Sequence, residues 1–286
     1  MIDLNSVAKE IRGVISEKQK ELNLTFVEET HTYYIKDENG IIRSDYPSVS
    51  KLVDKFYEPF DAEQKSYDMC GGDLQKQEIL LTEWKSKGDY ATNMGSRVHY
   101  ELEKELIGRY GNYKELRMPE FVCDVEQITK SDNMIAAGNK FLDLMINERK
   151  AVLLDTETIL GSTNLKYFGT PDKNWLVLNK KKDNFFLYCT DWKTNNPKNF
   201  EIQRYTKNLY PPFDQYPSTA LQHYYIQIPL YIRLLLDMLK GSKFENINIG
   251  ACIVVLLKDD GTFEEFRVPD YFLQTLLTID LSPYLS

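Results

Sequence analysis

Residues 169–194 read GTPDKNWLVLNKKKDNFFLYCTDWKT, and this stretch decides the fold that we predict for the chain. Its pattern predicts two β-strands joined by a lysine-rich turn. In the second strand Asp191 and Lys193 are two positions apart, so they lie on one face and Trp192 lies on the other. Both faces are otherwise apolar or bulky, which is typical of a strand inside a sheet covered on both sides. An unpaired charge buried there is costly, so we expect a metal ion or a partner charge beside Asp191 and Lys193.

Asp172 supplies a second acid to the same place. It follows Gly169-Thr170-Pro171, a sequence that ends or bulges the preceding strand. An acid followed 19 residues later by Asp-x-Lys resembles the motif of the PD-(D/E)XK nuclease superfamily. The resemblance implies that the two acids hold Mg²⁺ or Mn²⁺ and that Lys193 orients or deprotonates the attacking water. A solvated ion pair at a strand end is the alternative interpretation of the motif alone.

A second informative segment, residues 78–107, predicts a helix that carries a histidine and a carboxylate on one side. Apolar residues recur every four positions from 98 to 106, and His99 and Glu103 form a second stripe about 100° around the helix. Gly95, His99 and Glu103, upstream of the acid and lysine motifs, resemble the first motif of the RecB-like branch of the superfamily. In that branch the histidine is a metal ligand. A pair of His99 and Glu103 on the helix surface is the alternative.

A further element lies on a helix predicted over residues 219–240. Gln227 and Tyr231 are one turn apart and resemble the Gln-x-x-x-Tyr element of the RecB-like branch. Pro229 lies between them and removes a helical hydrogen bond, so we expect it to kink the helix or to mark its start. With this element the family's order is complete. The resemblance implies that Gln227 and Tyr231 hold the phosphate backbone or orient Lys193.

The resemblance also implies a metal site for Mg²⁺ or Mn²⁺, which favour oxygen-rich shells that keep bound waters. A cation bound there would lower the pKa of Lys193 and help it to act as a base. Glu157 lies on the first predicted core strand and shares a face with Asp155; a supporting or surface role for Glu157 stays open. The implied ligands are His99, Asp172, Asp191 and the main-chain carbonyl of Trp192, with Glu103 and Glu157 as candidates for additional ligands.

The predicted fold class is α/β, with a restriction-endonuclease-like core in which a mixed central β-sheet is flanked by helices. We assign residues 1–77 to an N-terminal helix and hairpin extension and residues 78–286 to the nuclease core. The extension has a hairpin around Asn39-Gly40 and a short helix capped by Ser48 or Ser50, an order that resembles the lead-in of phage and mitochondrial genome maintenance exonucleases. Outside residues 169–194, we predict helices over 3–21, 78–107, 133–149, 219–240 and 271–279, strands over 32–36, 41–44, 151–160, 247–257 and 262–268, and a connection over 108–131.

A long irregular stretch, residues 195–218, lies between the lysine strand and the next helix. A loop of this length in a compact domain is usually functional or mobile. Its rings and positive charges suit stacking and phosphate contacts with single-stranded nucleic acid, and a packed surface loop is the alternative. The residues that we predict to contact nucleic acid are Lys198, Arg204, Tyr205 and Lys207, and Phe200 and Tyr210 add aromatic rings.

Composition and charge limit the class of protein. The chain has 286 residues, of which 42% are hydrophobic and 13% aromatic, so it can bury a substantial core. A net charge of −8 argues against a protein that coats nucleic acid, although it is compatible with a locally basic groove. The most apolar run is too short to span a bilayer, and the first residues lack the pattern of a signal peptide. We therefore expect no membrane association and a cytoplasmic location, or the host cytoplasm if the protein is phage-encoded.

The cysteines favour a reducing compartment. Cys70, Cys123, Cys189 and Cys252 form no C-x-x-C pair, which argues against a zinc ribbon. Some RecB-like nucleases carry an iron–sulfur cluster on four cysteines, one before the core and three clustered after it. This sequence lacks that cluster, so the resemblance is to the branch without iron–sulfur cysteines.

The predicted function is that of a Mg²⁺- or Mn²⁺-dependent deoxyribonuclease, an exonuclease of recombination, repair or phage DNA metabolism. The expected partner is DNA, single-stranded or with a free end, together with replication or recombination proteins. The chain offers no recognisable groove-reading helix, which favours digestion from an end over base-specific cutting. Three alternatives stay open: a structure-dependent endonuclease, a catalytically silent nuclease fold used for DNA binding or assembly, and a binding protein whose Asp-x-Lys is accidental.

Overall fold

The computed structural model describes residues 2–110, 116 and 119–285. Within them the chain is α/β, with a five-stranded mixed sheet and helices on both of its faces. The helices are α1 (Leu4–Glu21), α2 (Val49–Asp54), α3 (Ala62–Met69), α4 (Leu74–Tyr110), α5 (Val125–Asp143), α6 (Ala220–Met238) and α7 (Asp270–Thr278). The strands are β1 (Thr25–Val27), β2 (Thr32–Lys36), β3 (Ile42–Arg43), β4 (Val152–Thr156), β5 (Leu160–Ser162), β6 (Tyr167–Gly169), β7 (Lys173–Leu178), β8 (Phe185–Lys193), β9 (Asn248–Leu257) and β10 (Phe263–Arg267).

The central sheet has the strand order β10-β9-β8-β7-β4, and β8 and β9 are its parallel pair. The predicted hairpin of β7 and β8 is antiparallel, and Lys173 at the start of β7 pairs with Thr190 near the end of β8. This register carries Asp172 to the end of β8, beside Asp191. A parallel connection needs a crossover, and α6 provides it between β8 and β9. The same crossover brings the Gln-x-x-x-Tyr element of α6 to the sheet.

The two faces of β8 lie in different cores, as the alternation of its side chains predicts. Leu187 and Cys189 pack in the core that the sheet shares with α1, α2, α6 and α7. Trp192 packs with Trp175 in the second core, formed with α4 and α5. The prediction of a strand covered on both sides is therefore confirmed. Asp191 lies on the same face of β8 as Leu187 and Cys189. The burial of these apolar residues therefore buries Asp191 as well.

The N-terminal segment packs on the sheet. The predicted first helix is confirmed as α1, and its buried face, which includes Ile11 and Ile15, lies in the same core as α6. The predicted hairpin is confirmed as β2 and β3, with Gly40 in the left-handed region at φ +79°, and β1 adds a third strand. Ser48 caps α2 by accepting a hydrogen bond from Lys51 N. Helix α4 runs without a break across positions 77 and 78, where the two predicted domains meet.

Helix α5 and the first core strand differ in extent from the prediction, whereas α6 starts where it was predicted to start. Helix α5 starts eight residues before position 133, because Asp124 and Gln127 form a capping box that fixes its N-terminus. The strand predicted over 151–160 ends at Thr156; Glu157 has a positive φ of 49°, and residues 160–162 form β5, paired with β6 instead. Helix α6 begins at Ala220 and continues through Pro229, so the proline does not mark its start. The connection predicted over 108–131 lies partly outside the described residues.

The stretch over residues 195–218 is more ordered than a structureless loop. It contains a short 3₁₀ helix, Pro197–Phe200, and an isolated bridge between Asn208 and Pro217. The ring of Phe213 is fully buried and stacks on Phe272 at a centroid distance of 4.8 Å. Aromatic packing, which the composition alone does not reveal, anchors the loop to α7. Across the part of the chain that the structure covers, no helix has the length and apolar character needed to cross a membrane.

Candidate metal and catalytic site

Asp172 joins the ends of three strands. Its Oδ2 accepts a 2.9 Å hydrogen bond from the main-chain N–H of Trp192 in β8. Its own carbonyl accepts hydrogen bonds from Thr156 Oγ1 at 2.9 Å and from the N–H of Glu157 at 3.1 Å, both at the end of β4. Only 9% of Asp172 is exposed. Burial opposes ionisation of its carboxyl group, but the positive charges of Lys173 and other neighbours outweigh burial and hold the pKa of Asp172 well below its usual range.

His99 reaches the same place from α4. A Cβ on Gly95, one turn earlier, would lie 3.2 Å from Thr194 Oγ1, so glycine lets the helix pass close to the end of β8. His99 Nε2 donates to the carbonyl of Trp192 at 3.1 Å, and Nδ1 lies 3.6 Å from Asp172 Oδ2. Burial, together with the charges of nearby lysines, lowers the pKa of the imidazole. A neutral ring with its proton on Nε2 directs the lone pair of Nδ1 toward a carboxylate oxygen, which is the relation between two ligands of one cation.

Glu157 is a third candidate ligand beside His99 and Asp172. Ligand atoms of His99, Glu157 and Asp172 all lie within 4.8 Å of one another. Glu157 is in the left-handed backbone region at φ +49°, immediately after β4, a conformation that non-glycine residues adopt at a cost and that clusters at functional sites. One imidazole nitrogen and two carboxylates suit Mn²⁺, and Mg²⁺ prefers oxygen more strictly. The residues present therefore fit a divalent cation.

The group opens into an acidic cleft of about 550 Å³. Besides Asp172 and Glu157, the carboxylates of Glu28 and Glu103 line it, so the predicted helix-surface partner of His99 faces the same space. Glu103 is itself buried, at 8% exposure. We call this space the acidic cleft.

Asp191 lies beside the carboxyl group of Asp172 and pairs with Lys193. Lys193 Nζ lies 2.7 Å from Asp191 Oδ2, and the two side chains are 17% and 4% exposed. Burial and the charge of Asp172 raise the pKa of Asp191 to about 7. Burial disfavours the Lys193 ammonium, but the carboxylates of Asp191 and Asp172 outweigh it and raise the pKa of Lys193. These carboxylates keep Lys193 protonated.

Gln227 and Tyr231 are brought together on α6, as predicted. Gln227 Nε2 donates to the Tyr231 hydroxyl at 2.9 Å, and Gln227 Oε1 is buried without a hydrogen-bond partner among residues 2–110, 116 and 119–285. Burial raises the pKa of Tyr231, and the charges of Asp191 and Asp172 add to the shift. A Cβ on Gly169 would lie 2.6 Å from the Tyr231 ring. Glycine at the start of the nuclease-like motif therefore makes room for the tyrosine.

Two residues of the site were missed from the sequence. Lys173 is 1% exposed; its Nζ lies 3.4 Å from the centre of the Trp192 ring and 3.8 Å from Asp172 Oδ2. Tyr224 places its ring 4.4 Å from Lys193 Nζ and donates its hydroxyl to Asn195 Oδ1 at 2.8 Å. The sequence could have indicated Lys173, because it is a lysine at the start of an apolar strand. It could have indicated Tyr224, because this tyrosine lies one turn before Gln227.

The predicted nucleic-acid contacts lie on the loop after β8 and make no hydrogen bond or ion pair with the acidic residues of the site within the described chain. Lys198 and Arg204 are exposed, and Tyr205 is 83% exposed. Lys207 forms an exposed ion pair with Glu58 at 2.6 Å. Among the further rings, Phe200 packs on Tyr224 and Phe266, and Tyr210 is 44% exposed.

Neither the protein-family models nor the curated proteins compared with the chain give a match.

Proposed function

We propose that this chain is a Mg²⁺- or Mn²⁺-dependent deoxyribonuclease with a restriction-endonuclease-like core, resembling the RecB-like branch, and that it degrades DNA from a free end. One observation carries the proposal: Asp172 is shared between two groups. Its carboxylate faces His99 and Glu157 in the acidic cleft, and its charge acts on the buried pair of Asp191 and Lys193. An ordinary surface ion pair does not need this arrangement.

The metal would be held by His99, Glu157 and Asp172, the group whose ligand atoms lie within 4.8 Å of one another. When bound, a divalent cation supplies Lewis-acid stabilisation of the charge that develops on a phosphodiester. The Trp192 carbonyl holds the His99 proton at Nε2 and so keeps Nδ1 free for coordination. This assignment differs from the ligand set implied by the sequence, in which Asp191 and the Trp192 carbonyl were direct ligands.

A bound cation would also bear on substrate binding. Four carboxylates line the acidic cleft, and the nearby ammonium groups of Lys173 and Lys193 are engaged by Asp172 and Asp191. A divalent cation would add positive charge at the point where a phosphate approaches. We therefore expect the metal to strengthen DNA binding as well as to support cleavage.

Lys193 would act as a fixed cation. Asp191 holds its Nζ at 2.7 Å, and the face of Tyr224 lies 4.4 Å below it. These contacts limit the movement of a long side chain and aim its ammonium group without the entropy loss of ordering it on binding. A protonated Lys193 donates hydrogen bonds to a phosphate oxygen or to the attacking water. Gln227 Oε1, buried and without a partner in the described chain, offers an acceptor close to the same cluster.

The test compares a covalently closed single-stranded DNA circle with its linearised form at equal concentration. We expect Mn²⁺- or Mg²⁺-dependent loss of the linear form and none with EDTA, while the circle persists. Equal cleavage of both forms would reject the end requirement and favour the endonuclease. No cleavage of either form, together with no Mn²⁺ binding by electron paramagnetic resonance, would reject the enzyme. Mn²⁺ binding without cleavage would favour the silent DNA-binding module.

A further inference from the structure

A second cavity lies on the other side of the contact between Gly95 and Thr194. It has a volume of about 600 Å³ and opens between α4 and α5 at the carboxyl ends of the parallel strands β8 and β9. Ligands of open α/β sheets bind outside these strand ends. We call it the α4–α5 groove. Its lining includes Lys87, Tyr90, Met94, Met134, Asn195 and Asn196.

The floor of the groove consists of apolar, polarizable side chains. Met94 and Met134 are 7% and 5% exposed and belong to the core beneath α4 and α5. The Tyr90 ring forms part of the wall, and Lys130 Nζ lies 5.8 Å from its centre. Thioether and aromatic groups make favourable contacts with flat π systems. A volume of this size falls within the range of about 300–1,000 Å³ that is usual for small-ligand pockets.

The groove also offers hydrogen-bond donors. Asn195 Oδ1 accepts from Tyr224, and Asn196 Oδ1 accepts from Lys198 N. Both acceptors are therefore occupied, and the two Nδ2 groups make no hydrogen bond elsewhere in the described ranges. Amide N–H groups at the edge of an apolar slot are suited to the acceptor atoms on the edge of a nucleobase.

Three lysines stand at the rim, in contrast to the acidic cleft on the opposite side of Gly95. Lys87 is exposed and has no ion pair in the described part of the chain. Lys130 pairs with Glu126 and Lys258 with Glu264, and both lysines are half-buried. The rim carries one carboxylate, that of Asp259. Lys87 is therefore the rim lysine that is available to an anion within the described part of the chain.

The groove is joined to the catalytic cluster. Thr194 and Asn195, which line it, directly follow Lys193 in the chain. Tyr224 bridges the two places, because its ring contacts Lys193 and its hydroxyl donates to Asn195. A strand whose phosphodiester lies at Lys193 would therefore have its neighbouring nucleotide beside Asn195.

We infer that the α4–α5 groove binds one nucleotide of the substrate strand, with its base against Met94, Met134 and Tyr90 and its phosphate at the lysine rim. This inference rests on the proposed nuclease function for the identity of the strand. It assigns the groove a task that the metal site does not perform, namely holding the nucleotide next to the cleaved bond by stacking. Because a stacked slot accepts any base, digestion would proceed without sequence preference.

The test measures binding of deoxyadenosine 5′-monophosphate to the full chain in EDTA, where neither metal nor cleavage contributes. We expect saturable binding that is about tenfold or more tighter than that of 2-deoxyribose 5-phosphate, which lacks the base. Ala91→Phe, an exposed position that lines the groove, should abolish the difference between the two ligands. The matched control is Thr92→Phe, the next and equally exposed residue of α4, which lies outside the groove and should leave both affinities unchanged.

A second pair of variants tests the rim. Lys87→Gln should weaken binding of both phosphates several-fold, and Lys9→Gln on α1, at the opposite face of the sheet, should not. Equal affinity for the two ligands, or full affinity in Ala91→Phe, would overturn the base slot. So would the absence of saturable binding by the wild-type chain. Cleavage of linear DNA by the wild type is measured separately. Nucleotide binding without cleavage would support the groove and reject the nuclease. Cleavage with equal affinity for the two ligands would support the nuclease and reject the groove.

Discussion

The main-chain N–H of Trp192 donates a 2.9 Å hydrogen bond to the carboxylate of Asp172. This bond crosses from β8 to the residue before β7, so the hairpin itself fixes the orientation of the acid. The other end of the same residue, its carbonyl, accepts from His99. One peptide segment therefore positions both an acid and an imidazole, and the Trp192 side chain is free to pack against Lys173 on the other face.

We expect His99→Ala to weaken Mn²⁺ binding by about tenfold or more, because one of three ligands is removed. Raised Mn²⁺ should restore part of the cleavage activity. The readout is the Mn²⁺ titration followed by electron paramagnetic resonance. His31→Ala is the matched control, since His31 is exposed and lines the same cleft. Normal Mn²⁺ affinity in His99→Ala would show that the imidazole only anchors the Trp192 carbonyl.

The close approach of Tyr231 to Gly169 predicts a steric effect. In Gly169→Ala the new Cβ would lie 2.6 Å from the ring and 2.8 Å from Val49 Cγ2, both of which are buried. We expect the free energy of unfolding in urea to fall by about 1–3 kcal/mol. Gly13→Ala, in the middle of α1 with nothing within 4 Å of its Cβ, should instead be neutral or stabilising by about 0.5–1 kcal/mol. Equal stability of the two variants would contradict the packing described for Tyr231.

Tyr205 is the ring of the loop that is most available to a ligand, at 83% exposure. If the loop stacks on single-stranded DNA, Tyr205→Ala should weaken oligonucleotide binding by about 5- to 150-fold, the range of one stacked base. The affinity for the oligonucleotide is measured by fluorescence anisotropy, with Ca²⁺ in place of Mn²⁺ to limit cleavage. Ile202→Ala, at 71% exposure in the same loop, is the control without a ring. If both variants change the affinity by a similar small factor, the loop is only a packed surface element and does not stack on DNA.

The sequence allowed much of this site to be predicted, because its residues lie on regular elements. A period of two placed Asp191 and Lys193 together on β8, and a period near four placed Gln227 and Tyr231 together on α6. Both juxtapositions are present in the structure. The position of Asp172 followed from the antiparallel hairpin, whose two strands are joined by a short turn.

The remaining features depend on tertiary packing or on local backbone conformation. Periodicity gave no sign that Glu157 leaves β4 with a positive φ, so it lies beside His99 rather than along the strand. It also gave no sign that the charge of Asp172 would raise the pKa of Asp191 to about 7. The packing of Phe213 was missed because its stacking partner, Phe272, is 59 residues away in sequence.

His223 predicts a pH dependence of stability. Burial lowers its pKa to about 4, the charge of Asp54 acts in the opposite sense, and that of Lys193 adds to the lowering. Between about pH 6.5 and 4 the unfolded chain therefore binds more protons at this position, and the free energy of unfolding falls as the pH falls. We expect His223→Phe to remove about 3 kcal/mol of that loss at pH 4. Urea unfolding at pH 7 and pH 4 measures it, with His31→Phe as the exposed control; an unchanged pH slope in His223→Phe would contradict the prediction.

The pair of Asp191 and Lys193 allows catalysis and stability to be separated. Asp191 is 2% exposed, so Lys193→Met leaves a buried carboxyl without its cation, and we expect a loss of stability on the order of 3 kcal/mol. The double variant Asp191→Asn, Lys193→Met should recover most of that loss, because no uncompensated charge remains. Cleavage should fall by about 10²-fold or more in each single variant and should not recover in the double variant.

An exposed ion pair provides the matched control for this cycle. Glu10 and Lys243 are 46% and 68% exposed, and Glu10→Gln, Lys243→Met and their combination should each change stability by less than about 0.5 kcal/mol. Urea unfolding and cleavage of linear DNA are measured on the same preparations. Recovery of cleavage together with stability in the Asp191 and Lys193 double variant would mean that the pair only supports the fold. Wild-type cleavage by Lys193→Met would show that a fixed cation at Lys193 is not needed. Wild-type cleavage by Asp191→Asn would remove Asp191 from the proposed catalytic site.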